Sequence, residues 1–392
     1  MIAQLPNVVL LPDGPTWDDS RANPLALGCR TCPDFAACGG LHTADAAFDC
    51  GDRCKCADPS ACDVVCRKKP ARFRAQRLEI GGFSLDNVER APVLPHPAFP
   101  LVVPLIDHGY RRTGTLKESF VAVPLYRLYN KGTGIPFFSN KAEVCAHFRI
   151  SLDATIIASG VARDFRIEPW WGFSTPEFLK QLSSLGIALF TVPNFSVFSD
   201  VPRTDNLHAI KRIGLSYAAM VNAGLPTALH LNARTERDYA NWLKFIRERQ
   251  EVQAVAFEFG TGAGSEGRID WHIAQLCALA DGVGRPLILV LRGGIRRLVQ
   301  LHAHFSRVVV LDTMPFAKTR QRQRAVVKDT GFLAWPSAAE EFGRGKPLDA
   351  LLAHNIELSR RAIIDPPEPL YHSRAIAGVR VNRPENPGGS GL

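Results

Sequence analysis

Ten cysteines stand in this chain of 392 residues, and eight of them fall between Cys29 and Cys66. Two sets share a spacing. Cys29, Cys32, Cys38 and His42 read C-x2-C-x5-C-x3-H, and Cys54, Cys56, Cys62 and Cys66 read C-x-C-x5-C-x3-C. Cys50 is the spare thiol and can replace His42 in the first set. Thiolates this close in sequence bite one metal without straining the backbone between them. Gly39 and Gly40 let the chain fold back around an ion. By ligand softness, Zn2+ and a [4Fe-4S] cluster suit these residues equally. In a small secreted domain the same cluster would mean disulfides. The opening residues, MIAQLPNVVLLPDG, carry neither a basic n-region nor a small-residue cleavage site. We therefore expect a cytoplasmic chain that uses these thiols for metal. Cys145 and Cys277 lie apart, inside apolar stretches, and are expected in the core.

The elements that would position such a centre have their own signals. Hydrophobic residues make up 46% and charged residues 22%, enough for a packed core, which excludes wholesale disorder, collagen and coiled coil. No run of about 18 uncharged apolar residues occurs, so no membrane span is expected. Lys plus Arg is 47 against 38 for Asp plus Glu, a net +9 that leans toward polyanions. Part of that charge sits in RKKPARFRAQR (67–77), where Lys68, Lys69 and Arg72 form either a solvated linker or an arm that contacts phosphates.

Beyond residue 100, short β-branched runs recur: LVVPLI (101–106), FVAVPL (120–125), ATIIA (154–158), IALFTV (187–192), PTALHL (226–231), QAVAFEF (253–259), PLILVL (286–291) and RVVVLD (307–312). Continuous apolar runs indicate parallel strands buried on both faces. Helical patterns lie between them at 175–186, 235–250 and 268–284. The alternation predicts an α/β protein with a (β/α)8 TIM-like barrel, an open doubly wound sheet being the alternative. Pro104 and Pro124 interrupt the first two strands. The predicted organisation is a cysteine-rich metal module with its basic linker (1–78), the barrel (79–330), a helical extension (331–382) and a disordered tail (383–392).

Barrel chemistry sits where strands end. Polar residues at those ends are Asp107, Arg127, Ser159, Asn194, Asn232, Glu258, Arg292 and Asp312. In EFGTGAGSEGR (258–268), Gly262, Gly264, Ser265 and Arg268 make a glycine-rich loop whose backbone amides can approach a planar or anionic ligand. In LDTMPFAKTRQRQR (311–324), Asp312 is followed by Lys318, Arg320, Arg322 and Arg324, which suits a carboxylate working on a phosphate-backed polymer. Trp170 and Trp171 are candidates to stack an extruded base, or else packing residues.

Three stretches carry resemblances. CRTCPDFAACGG (29–40) resembles the C-x2-C-x5-C-G-G motif of SPASM domains, which hold auxiliary [4Fe-4S] clusters, with His42 where that family has a fourth cysteine. The C-x5-C-x3-H end also resembles CCCH zinc fingers. Residues 287–322 look like the closing strand–helix–strand of tRNA-guanine transglycosylases, and GTGAGSEGR is similar to a loop of the 7-deazaguanine DNA transglycosylases. TVPNFSVFSDVPRTDNL (191–207) resembles a motif of an uncharacterised bacterial and phage family. The transglycosylase resemblance implies base exchange or excision in DNA or RNA. It makes Asp312 the nucleophile at C1′, lines the base pocket with Gly262, Gly264, Ser265 and Arg268, and sets Asn194 where the superfamily carries a base-recognising Asp. Glu168 or Glu258 would then shuttle the proton to the leaving base. Neither the superfamily's Asp-Ser-Gly-Gly-Phe string nor its closing zinc motif occurs. The competing expectations are a non-catalytic metal protein that binds nucleic acid on a degenerate barrel, and an iron–sulfur redox enzyme.

Overall fold

A computed structural model describes residues 78–197, 203–260, 263 and 268–366. The cysteine-rich segment, the basic run 67–77, Gly262, Gly264, Ser265 and the tail 383–392 lie outside the described residues.

All eight anticipated strands form. They are β1 (Val102–Pro104), β2 (Phe120–Pro124), β3 (Thr155–Ser159), β4 (Leu189–Thr191), β5 (Thr227–His230), β6 (Ala254–Glu258), β7 (Ile288–Arg292) and β8 (Arg307–Asp312). Every pairing is parallel, in the order β1-β8-β7-β6-β5-β4-β3-β2. A parallel bridge from Leu105 to Ala122, with Ile106 N–H donating to the Ala122 carbonyl at 2.8 Å, brings the two ends together. The sheet is thus a nearly closed eight-stranded barrel rather than an open doubly wound sheet. Pro104 and Pro124 are the last residues of their strands, where a missing N–H interrupts least.

Two apolar layers divide the strand residues. Ala122, Ile157, Leu189, Ala228, Ala254, Ala256, Val290, Val309 and Leu311 fill the lumen, with Phe99 among them. Their alternate neighbours, such as Val123, Ile156, Leu229, Val255, Leu291 and Val310, pack outward. Helices α1 (Lys141–Phe148), α2 (Asp164–Phe173), α3 (Pro176–Ser183), α4 (Arg203–Asn222), α5 (Glu236–Arg247), α6 (Ile269–Val283) and α7 (Leu298–His302) follow β2 to β7 in turn, two of them after β3. Local chemistry starts several of these. Thr175 caps α3 ahead of Pro176, and Thr235 with Asp238 forms a reciprocal capping box on α5.

No helix follows β1 among the described residues; a loop runs to β2. The chain's last described helix, α9 (Asp349–Ile364), lies against that gap, after α8 (Met314–Arg320) and the small hairpin β9 (Val326–Val327) and β10 (Leu333–Ala334). Asp349 accepts from Thr113 N–H at 2.8 Å and Gly114 N–H at 3.1 Å, and Arg360 reaches Glu118. The described part of the anticipated extension, α9, therefore packs as part of the barrel wall, and residues 367–382 lie outside the described residues. No helix among the described residues is long and apolar enough to cross a membrane.

Candidate functional site

A cleft of about 990 Å3 opens at the C-terminal ends of the strands, the face where barrels of this class carry chemistry. Side-chain alternation decides what reaches it. In β6, Ala254 and Ala256 fill the lumen, so Glu258 continues that row to the rim, where it is buried and borders the cleft. In β7, Val290 is in the lumen and Arg292 follows it; Glu258 and Arg292 are register partners across the two strands. Arg292 donates to the Val161 carbonyl at 3.0 Å, which holds its guanidinium over the mouth.

Asn194 and Asn232 border the same cleft, yet their amides partly serve the loops. Asn232 Nδ2 donates to the Phe195 carbonyl at 2.6 Å, and Asn194 Oδ1 accepts from Ala162 N–H at 3.4 Å. Gly160 permits this crowding, since a Cβ there would stand 2.4 Å from the Thr191 carbonyl oxygen. Arg268 caps the start of α6, lies over the Trp271 ring at 4.5 Å and donates to the Arg234 carbonyl at 3.4 Å. The Nε atoms of Arg234 and Arg268 are both buried without a hydrogen-bond partner among the described residues. Burial, and then the neighbouring Arg268 charge, push Arg234 below its ordinary value.

Asp312 is placed differently. Val309 and Leu311 point into the lumen, so Asp312 alternates outward with Val308 and Val310, beneath α9. It is 3% exposed. Its Oδ2 accepts from Ser359 at 2.6 Å and its Oδ1 from Met314 N–H at 3.0 Å. Burial raises its pKa, opposed by those two hydrogen bonds and by Arg360. The residue borders the cleft, but both carboxylate oxygens are engaged behind it.

No protein-family model matches this chain, and no curated protein matches it.

The remaining anticipated site residues lie elsewhere. Trp170 and Trp171 belong to α2 rather than to a loop. Trp170 is fully buried against Tyr129 and Phe178, while Trp171 Nε1 donates to Glu79. Glu168 forms a two-pronged pair with Arg212 at 2.6 and 3.2 Å on the outer side of the barrel. Within the anticipated basic face, Arg322 donates to the Phe342 and Gly343 carbonyls and Arg324 pairs with Glu341 at 2.7 Å. Lys318 sits 6.0 Å over the Trp335 ring, and Arg320 alone of the four reaches the barrel rim. Cys145 and Cys277 are buried core residues as expected, and burial pushes the Cys277 thiol up to about 11. Among the described residues no group of three or more His, Cys, Asp and Glu is arranged to hold a metal.

Sequence reasoning missed Arg163, Arg234 and His272. Arg234 lies two residues past Asn232, in the loop beyond the strand end, where no local pattern marks it. His272 begins the second turn of α6 and borders the cleft, with Nδ1 paired to the Tyr239 hydroxyl at 2.8 Å. Burial, aided by Arg268 and Arg234, pushes it down to about 4, so it stands as a neutral imidazole at pH 7.

Proposed function

We propose that the barrel mouth receives a nucleoside carried on a DNA or RNA backbone and removes or exchanges its base, with Glu258 as the working carboxylate. The observation that carries this reading is the charge pattern of the cleft. Glu258 ends the lumen row of β6 at the rim and borders the cleft together with Arg163, Arg234, Arg268 and Arg292, whereas Asp312 alternates outward beneath α9. Arginines at a low-dielectric rim suit phosphate, which they grip in bidentate fashion. A carboxylate deeper in the mouth stabilises the oxocarbenium-like transition state that forms as a base departs. Neutral His272, fixed from behind by Tyr239, has the chemistry to hydrogen-bond the base.

The engagement of Asp312 favours one other reading, a barrel that binds nucleic acid without reacting. Base release from single-stranded DNA and RNA, followed by chromatography for wild type and Glu258→Gln, separates the two. Release that is lost in Glu258→Gln supports the enzyme; no release from any substrate, with binding intact, supports the binding protein. The thiols between Cys29 and Cys66 supply ligands for an iron–sulfur cluster or zinc on their chemistry alone.

A further inference from the structure

A second cavity, about 540 Å3, opens at the same rim and shares Val161, Arg163 and Arg292 with the cleft. Asp107, just past β1, is the only acid on its lining among the described residues. Its two oxygens are taken: Tyr126 donates its hydroxyl at 2.7 Å and Arg127 donates Nη2 at 2.9 Å. Arg127 and Tyr126 together hold that carboxyl below its usual range against the cost of its burial. Asp107 is therefore paired with Arg127, and its charge otherwise bears on His108. Four further arginines, at 163, 166, 292 and 320, line the same space. None of them has a carboxylate within ion-pair distance among the described residues, although such pairs are common elsewhere on this protein.

The arrangement is also held in place. The Arg166 guanidinium lies 4.5 Å from the centroid of the Tyr126 ring, and Tyr126 is itself tied to Asp107. Arg127 spends Nε and Nη2 on Asp107, and its Nη1 makes no hydrogen bond among the described residues. His108 adds no acid: burial lowers its pKa against the opposing charge of Asp107, and Arg320 and Arg127 lower it further. Five guanidinium groups against one carboxylate repel one another unless an anion enters. Planar forks, three of them (Arg127, Arg166 and Arg292) held in position, match the oxygens of a phosphate better than those of a smaller anion.

We propose that this cavity is a phosphate subsite, adjoining the reaction cleft through Arg163 and Arg292, that takes the phosphate next to the nucleoside held there. The inference rests on the cleft reading above for which phosphate it is, and on the arginine geometry alone for the subsite. Arg320 and Arg163 are exposed, and Arg166 is half-buried, so replacing them leaves the core packing untouched.

The test is equilibrium binding of inorganic phosphate, and of single-stranded DNA and RNA oligonucleotides at several salt concentrations, to the full chain carrying Arg166→Gln or Arg320→Gln, with thermal melting as the folding control. The expected result is at least fivefold weaker binding of phosphate and oligonucleotide by each variant. The slope of log K against log salt should fall by about 0.7 for each arginine removed. Phosphate binding that weakens while oligonucleotides do not bind at all supports the subsite and assigns it to a free phosphate compound, overturning the nucleic-acid reading instead. Unchanged affinity for both probes in two folded variants overturns the subsite, whatever Glu258→Gln does to base release.

Discussion

The Ser359 hydroxyl donates to Asp312 Oδ2 at 2.6 Å, joining α9 to the end of β8. Burial raises the Asp312 pKa, so the folded state keeps its proton to a higher pH than the unfolded chain does. The sign follows: this group favours folding at low pH, and the advantage is lost as pH rises through its folded value. Ser359→Ala removes a hydrogen bond to the ionised form and should cost about 1–3 kcal/mol at pH 7, less at pH 4. Asp312→Asn should weaken the decline of stability with rising pH. Urea titrations at the two pH values measure both. The same Asp312→Asn protein should retain base release, because its carboxylate does not face the cleft; a loss of turnover with an unchanged fold would return the nucleophile to Asp312.

Glu258 faces the mouth on the lumen row and is the reciprocal case. Glu258→Gln should reduce base release by about 10^2 to 10^4-fold, the range for a positioned acid or base. Oligonucleotide affinity should stay within about twofold. A variant that releases base at the wild-type rate would remove Glu258 from the chemistry.

His230 sits in the lumen below Asn232, fully buried, with Asn232 as the polar side chain beside its ring. Burial pushes it down to about 3. The unfolded chain takes up this proton near pH 6.5, whereas the fold resists it, so stability is lost as pH falls from about 6.5 toward 3. At pH 4.5 the loss attributable to this residue is on the order of 3 kcal/mol. His230→Leu should roughly halve the part of that acid limb due to these two buried histidines, His272 supplying a comparable share. Chemical denaturation at pH 7 and pH 4.5 reads the difference directly; an acid limb identical to that of wild type would mean His230 takes up its proton within the fold.

Trp170 is a packing residue of α2, set edge-on to Tyr129 and Phe178 with ring centroids 5.8 and 5.4 Å away. Trp170→Ala should destabilise the protein by about 3–5 kcal/mol. Nucleic-acid affinity of the folded fraction should not change. Affinity that falls while the melting temperature holds would mean that this ring contacts a ligand after all.

Metal content tests the thiol cluster of residues 29–66. Protein purified without oxygen should carry iron with a visible absorption shoulder, or else stoichiometric zinc without colour. Cys29→Ser and Cys62→Ser should each lower that content. Metal-free protein with its thiols oxidised in pairs would make the cluster a disulfide framework.

Much of the barrel was legible in the chain. The eight β-branched runs became the eight strands within a residue or two at most ends, because a strand covered on both faces must be apolar throughout. That same property hid the site. In RVVVLD and QAVAFEF both faces are apolar, so nothing in the letters says whether Asp312 or Glu258 shares the lumen row. The long helix α4 was not anticipated either, since Gly214 and several polar residues interrupt its apolar pattern, while burial of Ile210, Ile213, Tyr217 and Val221 makes it a core helix.

The sequence by itself determined the alternation of strand and helix, the thiol spacing and the cationic balance, because those follow from residue type and local periodicity. Tertiary structure decided which carboxylate looks into the mouth, and that α9 fills the place of a helix missing after β1. It also gathered arginines from four separate segments at one rim, with Arg127 after β2, Arg166 on α2, Arg292 on β7 and Arg320 on α8. The reason is physical: facing depends on the closure and register of the whole barrel, and the convergence of charge depends on strands distant in sequence becoming neighbours.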